Sequence, residues 1–201
     1  MRKITMWISA AALAAFAVVG TARAEERAIV TNPVKPEHRV KVTNSSQANS
    51  PSVRSPLSVP DRKFIERAAS DNIAEIEIAR LALDQSKNEQ VRSFARMIVD
   101  DHEKALDRLK SIANDNAFPI PTEAATKQLD EYRRLAKLSG IDFDREYMKL
   151  MSKEHDQAID AFTKATREVN NPDLRDYAQR TLPALMEHRS RAESLLKLIK
   201  A

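Results

Sequence analysis

No cysteine occurs among the 201 residues of this chain. Disulfides, a thiolate nucleophile and a lipoprotein anchor on cysteine are therefore excluded, and stability must come from packing. Glycine is almost as scarce, with two residues, Gly20 and Gly140. A glycine-rich phosphate loop cannot be built from them. No stretch alternates apolar and polar residues over strand length, so sheet architectures find no support. No Ser-His-Asp set can be placed either. Aromatic residues make up 5% of the chain and do not alternate with basic ones.

The chain has a formal net charge of +4, but the excess is unevenly placed. From Asp61 onward there are 25 Lys and Arg against 26 Asp and Glu, a net of −1. The surplus lies upstream, in Arg2, Lys3 and Arg23 and in a segment with five basic and three acidic residues between Glu25 and Pro60. No basic patch remains in the part with folding potential, which argues against nucleic-acid binding. At the N-terminus, Arg2 and Lys3 precede an uncharged apolar run from Ile4 to Gly20, and Ala22-Arg23-Ala24 has the small-x-small form of a cleavage signal. Residues 1–24 are thus expected to be a cleavable signal peptide, cut near Ala24, that sends the protein to the periplasm or outside the cell. The run is marginal as a membrane span, and no transmembrane anchor is expected after cleavage.

Residues 25–60 hold Pro33, Pro36, Pro51, Pro56 and Pro60 around a polar middle of Asn, Ser and Gln. They are expected to form a disordered linker that includes His38. About 140 residues remain at 61–201, enough for one core. There the apolar period becomes helical. Helix one is expected from an Asp61 N-cap to about Gln85. Helix two opens at a Ser86/Glu89 capping box and carries Val91, Phe94, Ile98, His102, Ala105, Leu109 and Ile112 on one stripe. After a connection with Pro119 and Pro121, a short crossover helix runs to about Leu138, with Gly140 as its cap. Helix three, from Asp142, aligns Tyr147, Met151, His155, Ala158 and Phe162. Helix four starts at Asn171-Pro172 and aligns Leu174, Ala178, Thr181, Leu185, His188 and Ala192. Pro183 inside it should kink or split the helix. Two tight hairpins joined by a long connection define an all-α, ferritin-like four-helix bundle with a short crossover helix.

Three of the four histidines, His102, His155 and His188, fall on apolar stripes of different helices, and Glu75 lies at similar depth on helix one. If helices two and three run parallel, all four fall within about one turn in depth. Buried titratable groups must be satisfied, either by ordinary hydrogen bonds or by a metal ion. Three imidazoles and a carboxylate suit zinc, copper or iron. Asp101 and Glu154 flank the layer as supporting residues or extra ligands. Standard di-iron chemistry does not fit, because it needs Glu-x-x-His on two helices, whereas Val99 and Leu185 stand three before His102 and His188. Met97, Met148, Met151 and Met186 read as core fillers rather than copper ligands.

Four stretches carry a family resemblance: Ala68-Ala69-Ser70-Asp71-Asn72-Ile73-Ala74-Glu75, Arg96-Met97-Ile98-Val99-Asp100-Asp101-His102, Phe143-Asp144-Arg145-Glu146-Tyr147-Met148 with Glu154-His155, and Thr181-Leu182-Pro183 leading to Glu187-His188. Together they resemble the exported bacterial domain-of-unknown-function family 4142, over about residues 61–200. The resemblance implies a helical bundle and an exported location, with shared glutamate and histidines at Glu75, His102, His155 and His188; it implies no reaction. Three functions stay open on sequence: a metal-binding or stress-related bundle, a non-catalytic envelope interaction domain whose histidines are structural and whose linker provides reach toward an envelope protein partner, and an iron or copper redox protein.

Overall fold

The first helix begins earlier than expected, because Ser58 rather than Asp61 supplies the cap. In the computed structural model, which describes residues 56–200, the Ser58 hydroxyl accepts from the Asp61 backbone N–H. The Asp61 carboxylate in turn accepts from the Ser58 backbone N–H and hydroxyl, at 2.8 and 2.6 Å. This reciprocal capping box places Pro60 in the first turn, where its missing N–H costs nothing. The expected signal peptide and most of the expected linker lie outside the described residues.

Five helices follow: α1 (Val59–Gln85), α2 (Glu89–Asp115), α3 (Thr126–Leu135), α4 (Gly140–Glu168) and α5 (Pro172–Lys200). No strand occurs among the described residues. The α2 cap is Asn88, whose side chain accepts from Gln90 and Val91. Ser86 instead ends α1, so the expected Ser86/Glu89 box does not form. Gly140 opens α4 rather than closing the crossover helix, which stops at Leu135. Its φ of +57° explains a glycine there, since a Cβ would be strained although nothing crowds it. Asn171 caps α5 as expected, accepting from Asp173 and Leu174. Pro183 does not split α5, which continues through it to Lys200.

The helices pack in a ring, with α1 against α2 and α4, and α5 against α2 and α4. Two apolar clusters show the directions. One joins the C-terminal half of α1 (Ile78, Ala82) to the N-terminal halves of α2 (Phe94, Ile98) and α4 (Phe143, Tyr147) and to Ala192 of α5. The other joins the opposite halves through Phe64, Leu109, Phe162 and Leu174. Hence α2 and α4 run parallel, and the chain must return along the bundle between them. The stretch containing α3 makes that return, with α3 lying over α1 and α4 and burying Leu135. This is the crossover of a ferritin-like bundle. It also explains why α1 buries so wide a stripe: α2, α3 and α4 all cover it.

Candidate metal centre

Between the two apolar clusters lies a layer that belongs to neither. Glu75 of α1, His102 of α2, His155 of α4 and His188 of α5 are exposed by only 5%, 6%, 0% and 2%. The parallel run of α2 and α4 puts them at one level. His102 Nε2 is 3.2 Å and His155 Nε2 is 3.3 Å from Glu75 Oε2, and His155 Nε2 is 3.2 Å from His188 Nδ1. One nitrogen from each of the three rings lies within 4.8 Å of the others.

The outward nitrogens have different partners, and these decide where the protons sit. His155 Nδ1 meets the carbonyl of Met151 at 2.8 Å, one turn back on α4. His188 Nε2 meets the Asp101 carboxylate at 3.1 Å. His102 Nδ1 meets Asn72 Oδ1 at 3.1 Å, and the amide of Asn72 is held in that orientation because its Nδ2 donates to the Ala68 carbonyl at 2.6 Å. All three partners are acceptors, so each outward nitrogen carries its proton and donates. Each inward nitrogen of a neutral ring is then a bare lone pair.

Burial holds the layer in neutral form. Desolvation, reinforced by the charges of Asp71 and Glu154, pushes the Glu75 carboxyl well above the usual range. Desolvation and then the neighbouring imidazoles push His102 well below its ordinary value, and the same causes bring His155 down to about 3. Desolvation lowers His188 too, against the opposing pull of Asp101. A protonated Glu75 has one hydrogen to offer to three lone pairs. His155 Nε2 and His188 Nδ1 would still face each other at 3.2 Å with no proton between them. Glu75 Oε2 and His102 Nε2 are buried and lack a hydrogen-bond partner, as does the Tyr147 hydroxyl farther along α4, which feels the Glu75 charge.

A cation would resolve this geometry. Four donors around an ion at zinc-like bond lengths of about 2.0–2.1 Å stand about 3.3 Å apart along the edges of a tetrahedron. Three of the six edges, 3.2, 3.3 and 3.2 Å, have that length, and the three ring nitrogens all lie within 4.8 Å of one another. The donor set is three neutral nitrogens and one oxygen, which suits zinc, copper or iron.

The flanking acids part company. Asp101 is 38% exposed on its side chain and orients His188 from outside. Glu154, next to His155 in sequence, makes no contact with the histidines and faces a cleft between α1, α3 and α4. A helix turns about 100° per residue, so neighbours in sequence serve different faces. The sequence reading missed Asn72 and the Met151 carbonyl as orienting groups. Asn72 stands three residues before Glu75, a same-face spacing that signals it, whereas a backbone carbonyl leaves no trace in sequence.

The sequence pattern of the domain of unknown function DUF4142 matches residues 45–195, and the chain belongs to that family. Among curated proteins none matches significantly. Solved structures of similar fold include a DUF305 fragment from Deinococcus radiodurans, with TM-score 0.64 and 15% identity over 71% of this chain and 99% of that one. A DUF305 protein from Streptomyces coelicolor matches with TM-score 0.62 and 15% identity over 72% and 95%. CopM in its Cu(I)-bound form matches with TM-score 0.58 and 19% identity over 68% and 94%. At these identities the likeness shows the fold. No described helix is long and apolar enough to cross a membrane.

Proposed function

We propose that this DUF4142 protein is an exported metal-binding bundle that holds one transition-metal ion through His102, His155, His188 and Glu75. The observation that carries the reading is a set of three inward imidazole lone pairs, each fixed by an outward acceptor, with His102 and His155 against the buried Glu75 carboxyl and His188 against His155. A purely structural polar layer would pair donors with acceptors, and this one sets a single carboxyl hydrogen against three lone pairs. Zinc and copper suit the donor set best, because neutral imidazole binds both well and a single carboxylate falls short of the oxygen-rich sites of di-iron proteins. CopM, of the same fold, has been solved in Cu(I)-, Cu(II)- and Ag-bound forms, which supports a copper-group ion here. Asp101 serves as the orienting carboxylate of His188, and residues 1–24 as the export signal.

The test is metal content. Protein purified without a histidine tag, then exposed to zinc and copper and desalted, is expected to retain close to one ion per chain by elemental mass spectrometry. The His102→Ala, His155→Ala double variant is expected to retain none. A wild-type protein that stays empty after loading would refute the site and make the histidines structural.

A further inference from the structure

A buried ligand set needs a way in, and the two cavities that touch Glu75 differ in what they would admit. The larger, about 30 Å³, lies beneath His102 and His188 with Ala105, Ala158, Phe162 and Leu185 among its walls. Most of that surface is apolar; its acids other than Glu75 are Asp71, which it shares with the other cavity, and Asp101, which is already engaged by His188 and Lys104. The smaller, about 20 Å³, has room for one water and runs between α1, α3 and α4. Its walls include three half-buried carboxylates, Asp71, Glu131 and Glu154, against one guanidinium, that of Arg67. At its inner end stands Glu75, whose Oε2 is buried and unpartnered.

The three acids are not equally available. Glu131 is held by Arg134 at 2.9 Å. Asp71 accepts from Gln128 of the crossover helix at 2.5 Å and lies 3.4 Å from Arg67, a side chain that is half exposed. Glu154 has only the exposed Lys153 at 3.9 Å, and its own side chain is 17% exposed. It is the least engaged carboxylate on the path and close enough to Glu75 for its charge to be felt there.

From this placement, and resting on the metal reading above, we infer that the α1–α3–α4 cleft is the cation entrance. In this route Glu154 and Asp71 form a transient outer site that strips a transition-metal ion of part of its water and passes it to Glu75. The assignment gives Glu154 a role its distance from the histidines denies it as a permanent ligand. It also gives the crossover helix a function beyond topology, as one wall of the passage.

Stopped-flow loading of the metal-free protein with Co(II), followed by its visible absorption, tests this. The Glu154→Gln, Asp71→Asn variant is expected to slow both loading and chelator-driven release by about tenfold, within the range over which carboxylate-lined clefts change on-rates. Its equilibrium Kd should stay within about threefold of wild type, and its loading rate should lose most of its salt dependence. Glu103→Gln, on the exposed α1–α2 face, should leave the rates unchanged. Wild-type rates in Glu154→Gln and in the double variant would overturn the entrance while leaving the metal site standing. So would a weakened Kd with an unchanged on-rate, which would make Glu154 a ligand of the bound ion. Absence of a Co(II) spectrum in wild type would overturn the site, and the entrance with it.

Discussion

Two buried polar clusters in this bundle are opposites. At one end, the Asp61 carboxylate, 1% exposed, accepts from the Ser58 hydroxyl and backbone and from the backbone N–H groups of Asn170 and Asn171, at 2.6 to 3.1 Å. One anion meets four donors and ties the start of α1 to the α4–α5 turn. Burial alone would raise its pKa, but these hydrogen bonds outweigh it and hold the carboxyl below its ordinary value. In the middle of the bundle, the histidine layer turns three imidazole lone pairs inward against the single hydrogen of a neutral Glu75. The first cluster is complete as it stands, and the second leaves lone pairs facing one another, as the metal reading proposed above requires. A buried polar group that stabilises a fold is recognised by matched donors, and one that awaits a ligand by their absence.

The contrast can be broken in order of expected size. Metal should stabilise the layer and leave the clasp untouched: free ion at a thousandfold above Kd adds about 4 kcal/mol to unfolding, read by chemical denaturation. His155→Ala should abolish that gain. If metal raised the stability of His155→Ala as much as that of wild type, the ion would be bound elsewhere. Asp61→Ala should cost about 2–4 kcal/mol, since it strips four donors of one charged acceptor. It should leave metal affinity unchanged, which isothermal titration would check.

The clasp also fixes a direction with pH. The folded pKa of Asp61 lies below the ordinary 3.8. Its contribution is therefore complete above that value and is lost as pH falls through the folded one, because the unfolded chain takes up the proton first. Between pH 5 and 2 the metal-free wild type should lose stability more steeply than Asp61→Asn; parallel curves would remove the clasp from the account.

Smaller effects sharpen the other side. Asp101→Asn should weaken metal affinity by about tenfold, because the carboxylate that orients the His188 ring and raises its basicity is gone. An unchanged affinity would make Asp101 a surface residue and no more. Replacing Glu75, His102, His155 and His188 together by leucine should leave the metal-free fold equal in stability or more stable by about 1 kcal/mol, since mutually unsatisfied acceptors are exchanged for apolar contacts. A loss of several kcal/mol would show that the layer is structural after all.

Much of the bundle was legible along the chain. The 3.6-residue stripes on α2 and α4, the Asn171-Pro172 start and the long link between hairpins led to two antiparallel helix pairs and a crossover, because burial periodicity is written in residue order. The caps were read less well. Asp61 and Ser86 have the right chemistry for an N-cap but sit two or three residues from the residues that perform it, Ser58 and Asn88. Local propensity is degenerate among Ser, Asp and Asn, and only the backbone path chooses between them. Pro183 lacks the N–H that α5 needs, yet the helix continues through it.

For the candidate site, the sequence by itself placed three histidines and one glutamate on the buried faces of four helices, and at matching depth only if helices two and three ran parallel. It could not determine their orientation. Whether the rings turn nitrogens toward one another or toward separate backbone partners depends on Asn72, the Met151 carbonyl and Asp101, each supplied from its own point on the helices. Those contacts arise only when the helices are docked, and they place the protons outside and the lone pairs within. The tertiary structure alone also separated Asp101 from Glu154, two acids each beside a histidine in sequence. One came to rest against a ring nitrogen and the other in the cleft toward Glu75, because a step of one residue on a helix turns a side chain to a different neighbour.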